Sequence, residues 1–416
     1  MPATIRSAGS REERTSPRRR SPSDAAFSRL MRILHTADWH VGRRLGRHDR
    51  AAETAAALEE VARIATEHEV DLVLVAGDVF DRPIPPVDAL ALGLAGLLRL
   101  AEGRPVVAVA GNHDSPELFD ALAPLVRDQG RGVHLIGSIR RPDEGGVLGP
   151  EELGVPALVG CLPFLREGRV VDFMRDAGEW YGQYAERIAA LCAAFDAALV
   201  ARAGTDLVPL LVAHFMVGGV KVGGSERELH VGGAYVASAQ AIPPGPQYVA
   251  LGHIHAPQAI PGSPVPGQYA GSLLPLDFGE AGEAKRVVIV DAEPGRLATV
   301  ASIPLVSGRP LVRAEGTWDQ IDARIDELRD AYLDLTVRVG GIDADLGRRA
   351  ADTFPFLVNV RPYRPPGERR ARSGGPRPSD EEQYADYYRR DTGEEPPSDL
   401  LGLFREVLEE VADASA

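Results

Sequence analysis

Cysteine is nearly missing from this 416-residue chain: there are two, Cys161 and Cys192, and no CxxC pair. A disulfide framework and a cysteine-ligated zinc site are both excluded, and two reduced thiols in a cytoplasmic protein are expected. Long apolar runs are missing too. A membrane-spanning helix needs roughly 18 or more consecutive apolar residues, and the longest apolar helical candidate, residues 89–98, falls well short. An excess of basic charge is also missing, since 46 Lys and Arg face 60 Asp and Glu, a net charge of −14. A body coated in nucleic-acid-binding basic surface is thereby excluded, although local patches are not. A partner is expected to supply part of any DNA affinity. What remains is ordinary: 44% hydrophobic and 25% charged residues, the balance of a soluble globular protein. The length suits two or three domains.

Residues 1–30 differ from the rest. They hold seven Arg against three acids (7 − 3 = +4), so the remainder carries −18. With no periodic apolar face, this segment is expected to be a disordered tail. It lacks the apolar stretch of a signal peptide, and Met31 directly precedes a clean strand, so a misassigned start is one explanation and a basic DNA-binding arm another. From Met31 the chain alternates apolar strands with helices. Strands are expected at 32–36, 71–76, 106–110, 157–162, 208–214, 248–251 and 286–290. Helices are expected at 52–68 and 87–100, the first with Leu58, Val61, Ala62 and Ala65 on one face. Two sheets packed face to face, with helices outside, would hold these elements. Composition shifts near Leu305. Residues 311–314, 318–330, 332–339, 345–354 and 357–361 read strand, helix, strand, helix, strand. The expected division is a catalytic domain at 31–305, a small α/β capping domain at 306–365, an Arg/Pro/Gly linker at 366–378 and a helical segment at 379–413. Ser379 and Glu382 form a capping box for the first terminal helix. The second carries Leu400, Leu401, Phe404, Val407, Leu408 and Val411 on one face, the pattern of a helix that docks in a partner's groove.

Chemistry collects where strands end. In order, these ends read Asp38-Trp39-His40, Gly77-Asp78, Gly111-Asn112-His113-Asp114, Ala213-His214 and Gly252-His253-Ile254-His255. Carboxyl ends of strands are where open α/β sheets form ligand sites. In extended chain, residues i and i+2 face one side, so Asp38 pairs with His40 and His253 with His255. Carboxylate, imidazole and amide oxygen without thiolate suit manganese, iron or zinc. The candidate ligands Asp38, His40, Asp78, Asn112, His214, His253 and His255 are too many for one ion and enough for two. Two ions sharing a carboxylate about 3.5–4 Å apart is the arrangement used for in-line attack on phosphorus. Taken singly, a DxH, an HxH or a Gly-Asp after a strand is most often structural. Five such blocks in this order are hard to explain as turns. Arg43, Arg44, Arg47 and Arg50 follow the first pair, as either a solvated loop or contacts to DNA phosphates. His35, His48, His134 and His230 read as structural or surface residues, and Trp39 as core.

Together the blocks resemble the calcineurin-like metallophosphoesterase superfamily. Finer matches resemble one family within it, the SbcD-type nuclease subunits of bacterial SbcCD complexes. These matches are 35–42, 77–81, Ser225-Glu226-Arg227, 250–255 and 271–280, and the likeness spans about residues 31–413. It implies an α/β/β/α sandwich of two sheets, with the small cap and the C-terminal helix pair. It implies one ion on Asp38, His40, Asp78 and His255, and another on Asp78, Asn112, His214 and His253, both expected to be Mn2+, with Asp78 bridging. His113 would act in catalysis without binding metal, steadying the transition state or protonating the leaving oxygen, with Asp114 as its orienter. Archaeal relatives often carry His where this chain has Asp81, and Asp81 receives no role. The likeness further implies double-strand exonuclease activity and endonuclease activity at hairpins or blocked ends, in DNA repair, recombination and replication. An SbcC-type ATPase would be the partner, in a heterotetramer that contains a homodimer of this chain. Two rivals stand beside this reading: a phosphatase or phosphodiesterase of small phosphoesters, and a non-catalytic scaffold.

Overall fold

The computed structural model describes residues 30–127, 132–166, 184–223, 236–341, 343–364 and 379–413. The basic tail up to residue 29, the Ser225-Glu226-Arg227 block, His230 and the linker 366–378 lie outside them. The chain divides into two compact units, one within residues 1–337 and 344–361, the other within 338–343 and 362–416.

The first unit is built on two six-stranded sheets. The strands of the first are β1 (Met31–Thr36), β2 (Leu72–Val75), β3 (Val106–Val109) and β4 (Val133–Ile136). Those of the second follow: β5 (Val147–Leu148), β6 (Ala157–Leu162), β7 (Val208–His214), β8 (Tyr248–Gly252), β9 (Gln258–Ala259) and β10 (Gly267–Tyr269). The chain then returns to the first sheet with β11 (Arg286–Ala292) and β12 (Thr299–Pro304). The orders are β12-β11-β1-β2-β3-β4 and β9-β10-β8-β7-β6-β5. β1 through β4 run parallel, as do β6, β7, β8 and β10. Parallel strands in one sheet bring their carboxyl ends to one edge, and this is what gathers the site.

Alternation along each strand sorts side chains into layers. Ile33, Leu72, Leu74, Val107 and Val109 of the first sheet meet Val159, Leu210, Val212, Tyr248 and Ala250 of the second in a dry inter-sheet core. The intervening residues face outward. Leu34, Val73, Val75, Val106 and Ala108 pack under helices α1 (Ala51–Glu67), α2 (Val87–Leu100) and α3 (Pro116–Arg127). Leu158, Leu162, Leu211, Val249 and Leu251 pack under α4 (Tyr184–Ala203). The result is the expected α/β/β/α sandwich. Strands buried on both faces explain the unbroken apolar runs in the sequence.

A three-stranded sheet follows, β13 (Leu311–Gly316), β14 (Tyr332–Arg338) and β15 (Leu357–Tyr363), in that order. The single helix expected at 318–330 is instead two short ones, α5 (Trp318–Asp322) and α6 (Ile325–Leu328), broken at Arg324, whose φ and ψ of −105° and 17° leave the helical region. α7 (Leu346–Thr353) completes this part. Helix α1 holds the approach to it. Glu60 accepts from the backbone of Val306 and Ser307, and Glu53 pairs with Arg50 and accepts from Arg309 N. Arg309 lies 3.5 Å over the Phe356 ring.

The second unit contains α8 (Asp380–Thr392) and α9 (Ser398–Asp413). The capping box is formed: Glu382 N donates to Ser379 Oγ at 3.2 Å, and Ser379 N to Glu382 Oε2 at 2.7 Å. Tyr384 stacks on Phe404 with centroids 4.3 Å apart, and Arg405 pairs with Glu381. Phe404 is therefore used within the pair, with Leu400 and Leu401 half-buried. Leu403, Val407 and Leu408 are exposed, and of these Leu403 lies outside the stripe expected from the sequence. The Val411 side chain lies outside the described residues. Among the described residues, no helix is long and apolar enough to cross a membrane.

Candidate metal centre

All seven candidate ligands converge at the joined carboxyl edges of the two sheets. The loops after β1 and β2 zip together, with Asp38 N donating to Gly77 O, His40 N to Asp78 O and Val41 N to Val79 O. These loops leave ordinary backbone geometry: Asp38, His40, Asp78 and His253 have φ of 52°, 46°, 52° and 99°. Left-handed backbone is costly for residues with a side chain and collects at functional sites. Glycine is needed where backbones touch. A Cβ on Gly252 would collide with the Ala76 carbonyl, and one on Gly111 with Asp78.

Asp78 stands at the centre. Its Oδ1 accepts from His113 N at 2.8 Å. Its Oδ2 lies 3.6 Å from His40 Nε2 and 3.5 Å from His214 Nε2, facing both sides of the cluster. On one side His40 Nε2 and His255 Nε2 approach to 3.2 Å. On the other, Asn112 Oδ1 is 2.9 Å from His214 Nε2 and 2.7 Å from His253 Nδ1. Asp38 Oδ1 accepts from His253 N at 2.9 Å, while its buried Oδ2 has no hydrogen-bond partner. His40, Asp78 and His113 form one compact group of possible ligand atoms, and Asp38, Asp78 and His214 form another.

Charge at this edge is unevenly compensated by the chain itself: burial opposes charge on Asp78, yet His214, His40 and His113 hold its carboxyl well below the usual range. Burial pushes the Asp38 carboxyl up to about 6, even with His214 and His255 nearby. Burial also pushes His40 down to about 4. Burial disfavours charge on His214, but the Asp78 carboxylate outweighs it and raises this imidazole to about 9. An orphaned carboxylate oxygen, two imidazole nitrogens aimed at each other and a central carboxylate form a nitrogen and oxygen set that fits divalent cations.

Outside the ligands, some roles differ from those read in the sequence. Asp114 is the expected orienter of His113. Its buried carboxylate takes three backbone N–H groups, from Val79, Phe80 and Gly111, and so ties the second and third loops together. Burial, with Asp78 close by, pushes this carboxyl up to about 7. His113 Nδ1 meets the Asp81 carbonyl oxygen at 3.0 Å, and its half-buried ring lies edge-on to His40. Asp81 acquires contacts as well, with Oδ1 3.5 Å from His40 Nδ1 and 3.2 Å from Arg43 Nη1. Arg44 and Arg47 are exposed. Arg50 leaves the DNA-contact group, because it is buried against Glu53, the Pro275 carbonyl and the Tyr332 ring. His35 binds Tyr248 Oη in the core, His48 meets the Leu357 carbonyl, His134 is buried and Trp39 packs in the core.

Four further residues were not singled out from the sequence. Phe164 stacks on His253, and Arg166 donates to the carbonyls of Asn112 and Asp114, on either side of His113. Glu280 Oε1 lies 3.1 Å from His255 Nδ1, and Lys285 Nζ lies 2.6 Å from Glu280 Oε2. Burial opposes charge on Glu280, yet His255 and Lys285 hold its carboxyl down to about 2. The only sequence hint was Glu280's place at the end of the 271–280 block.

Comparison with known proteins gives this geometry a family. The calcineurin-like phosphoesterase model matches residues 31–257. The SbcD subunit of the SbcCD nuclease from Bacillus subtilis is 34% identical over 402 residues, covering 93% of this chain and 100% of that one. The Rhodobacter capsulatus protein of the same name is 36% identical over 315 residues, 72% of this chain and 76% of its own. The Escherichia coli K12 protein is 30% identical over 363 residues, 82% and 87%. With its domain matched from the first strand through the last pair of histidines, and with relatives aligned along 72–93% of its length, this chain belongs to the calcineurin-like phosphoesterases and, among them, to the SbcD family of SbcCD nucleases.

Proposed function

We propose that this chain is the metal-dependent DNA nuclease subunit of an SbcCD-type complex, cleaving phosphodiesters with two divalent ions, Mn2+ first among them. The observation that carries the reading is the bridging position of Asp78, whose Oδ2 stands 3.6 and 3.5 Å from imidazoles on opposite sides of one cluster. Asp38, His40, Asp78 and His255 would hold one ion, and Asp78, Asn112, His214 and His253 the other. Two ions so held would supply Lewis-acid chemistry and offset the charge that develops at phosphorus.

The chain's own groups do the rest. With the Asp81 carbonyl facing Nδ1, His113 keeps Nε2 for the substrate, to donate to a phosphate oxygen or hand a proton to the leaving oxygen. Arg166 and the Asp114 carboxylate fix the loop that carries His113. Arg43, half-buried beside Asp81, and the exposed Arg44 and Arg47 are positioned for phosphate contact on the rim of an acidic body. Double-stranded DNA, including hairpin ends, is the proposed substrate, with residues 306–365 as a DNA-facing cap. A cytoplasmic location belongs to the same reading, both thiols being buried and free.

The proposed partner is an SbcC-type ATPase, docked through residues 379–413. Support comes from Leu403, Val407 and Leu408, large apolar side chains left exposed on α9. A homodimer within a heterotetramer is supported by Ile84, Val87 and Leu125, large apolar side chains left exposed just before α2, at its start and on α3.

The deciding experiment is cleavage of hairpin and linear duplexes, with and without Mn2+ and with and without the ATPase. Mn2+-dependent cutting, stimulated by ATPase and ATP, is expected. Hydrolysis of a nucleotide monoester with no action on DNA would support the phosphatase reading instead. Val407→Glu tests docking more cleanly than a change at Phe404, which serves the helix pair. The variant should keep basal Mn2+-dependent cleavage and lose co-purification with the ATPase. Co-purification at wild-type stoichiometry would refute the docking assignment.

A further inference from the structure

The imidazoles of the cluster differ in what stands behind them. His214 turns Nδ1 to a neutral acceptor, the Ala76 carbonyl oxygen, at 2.8 Å, and the carboxylate on that side, Asp38 Oδ1, stands farther off at 4.0 Å. His255 turns Nδ1 to the Glu280 carboxylate at 3.1 Å. His40 turns Nδ1 to the Asp81 carboxylate at 3.5 Å, close enough for an ion pair though not hydrogen-bonded. The two carboxylate-backed rings are the two whose Nε2 atoms meet 3.2 Å apart. The backbone-backed ring lies on the Asn112 side, where Phe164 also packs against His253 and His214.

Glu280 is fully buried, and both of its oxygens are engaged. Oε1 faces His255, while Oε2 receives Lys285 Nζ at 2.6 Å and Leu276 N at 3.1 Å. Lys285 Nζ also donates to the His255 carbonyl at 3.0 Å, so one ammonium holds both the carboxylate and the backbone of the residue it orients. A buried ion pair is weak evidence for stability, because desolvation offsets its attraction. Its placement behind one imidazole gives it a different use.

An anionic acceptor for Nδ1–H fixes the tautomer, aims the Nε2 lone pair inward and raises its basicity. A backbone carbonyl fixes the tautomer but adds no full charge. We propose that Glu280, braced by Lys285, and Asp81 are positioning residues that make the His40–His255 side the tighter of two divalent-ion subsites, filled before the His214–His253 side. This inference rests on the two-ion reading given above.

The test is calorimetric titration of MnCl2 into the metal-stripped full-length chain, beside the Mn2+ dependence of cleavage. Wild type should take up two equivalents of unequal affinity. Glu280→Gln should weaken the tighter equivalent by about 10–100-fold, the usual effect of losing an outer-shell partner, and leave the weaker one within about twofold. The Mn2+ concentration for half-maximal cleavage should rise by a similar factor, with kcat at saturating Mn2+ retained. A purely structural role would instead lower the melting temperature of the metal-free protein and weaken both equivalents together. Should Glu280→Gln melt before metal is added, Asp81→Asn carries the same expectation from the opposite ring. Two equal equivalents in wild type, or unchanged uptake in both variants, would overturn the inference and leave the two-ion reading standing. A single equivalent in wild type would overturn both.

Discussion

The two six-stranded sheets are built alike and furnish different chemistry. The strand ends of the first bring Asp38, His40, Asp78 and Asn112, mostly oxygen donors. Those of the second bring only imidazoles, His214, His253 and His255. Neither edge alone offers the mixed oxygen and nitrogen set that the proposed two-ion centre calls for. The site exists because Val107, Val109, Leu210, Val212 and their neighbours press the two sheets together. Inter-sheet packing is therefore part of the site, and Ala76 of that core touches it through the carbonyl that meets His214 Nδ1.

The largest expected effect removes the oxygen shared between the sheets. Asp78→Ala should abolish uptake of both Mn2+ equivalents and reduce cleavage by more than the roughly 10–100-fold of outer-shell changes. A wild-type rate in that variant refutes the two-ion reading. Next comes a residue of the first sheet that binds no metal in this scheme. His113→Ala should keep metal content and DNA binding while cleavage falls by about 10²–10⁴-fold. Metal loss in that variant would make His113 a ligand. A smaller effect tests the comparison itself, using two adjacent leucines on β7. Leu210 faces the other sheet and Leu211 faces α4, and both are fully buried. Either change to Ala should cost roughly 2–5 kcal/mol in urea unfolding. Only Leu210→Ala should also weaken Mn2+ uptake, and equal weakening by both would show that sheet docking has no special part. The smallest effect is expected at the amino terminus. A chain starting at Met31, whose side chain is buried at the start of β1, should match the longer one in melting temperature and cleavage rate. A large fall in DNA affinity with a shallower salt dependence would restore the basic-arm reading.

Much of this was legible in the sequence, for a physical reason. Doubly buried strands write themselves as apolar runs, so β1, β6, β7 and β8 lie where the pattern places them. The ends of β1, β2, β3, β7 and β8 carry Asp, Asn and His where a core would carry none. The structure brings all seven of those residues together. Contacts that join distant positions without periodicity left no such trace. Glu280 reaches back to His255 across 25 residues, from a short turn rather than a strand. Arg50 reads like the three arginines before it, and only the fold shows it buried against Tyr332. Asp114 sits next to His113 in sequence, which suggested partnership, while its hold on the backbone of Val79, Phe80 and Gly111 left no trace there.

Four of the seven candidate ligands use left-handed backbone, and these four carry side chains rather than being glycine. Each such residue costs of order 1–3 kcal/mol unless its surroundings impose the conformation. Anyone transplanting this centre onto another two-layer scaffold would therefore fail by copying side chains alone. The recipient must also supply the paired loops that force those turns, the two glycines that let the loops touch, and a core rigid enough to hold the bent chain before any ion arrives. In evolutionary terms the same requirement acts as a ratchet. A lineage that lost the ions could shed the side chains one at a time, but regaining the site would demand rebuilding several strained turns at once.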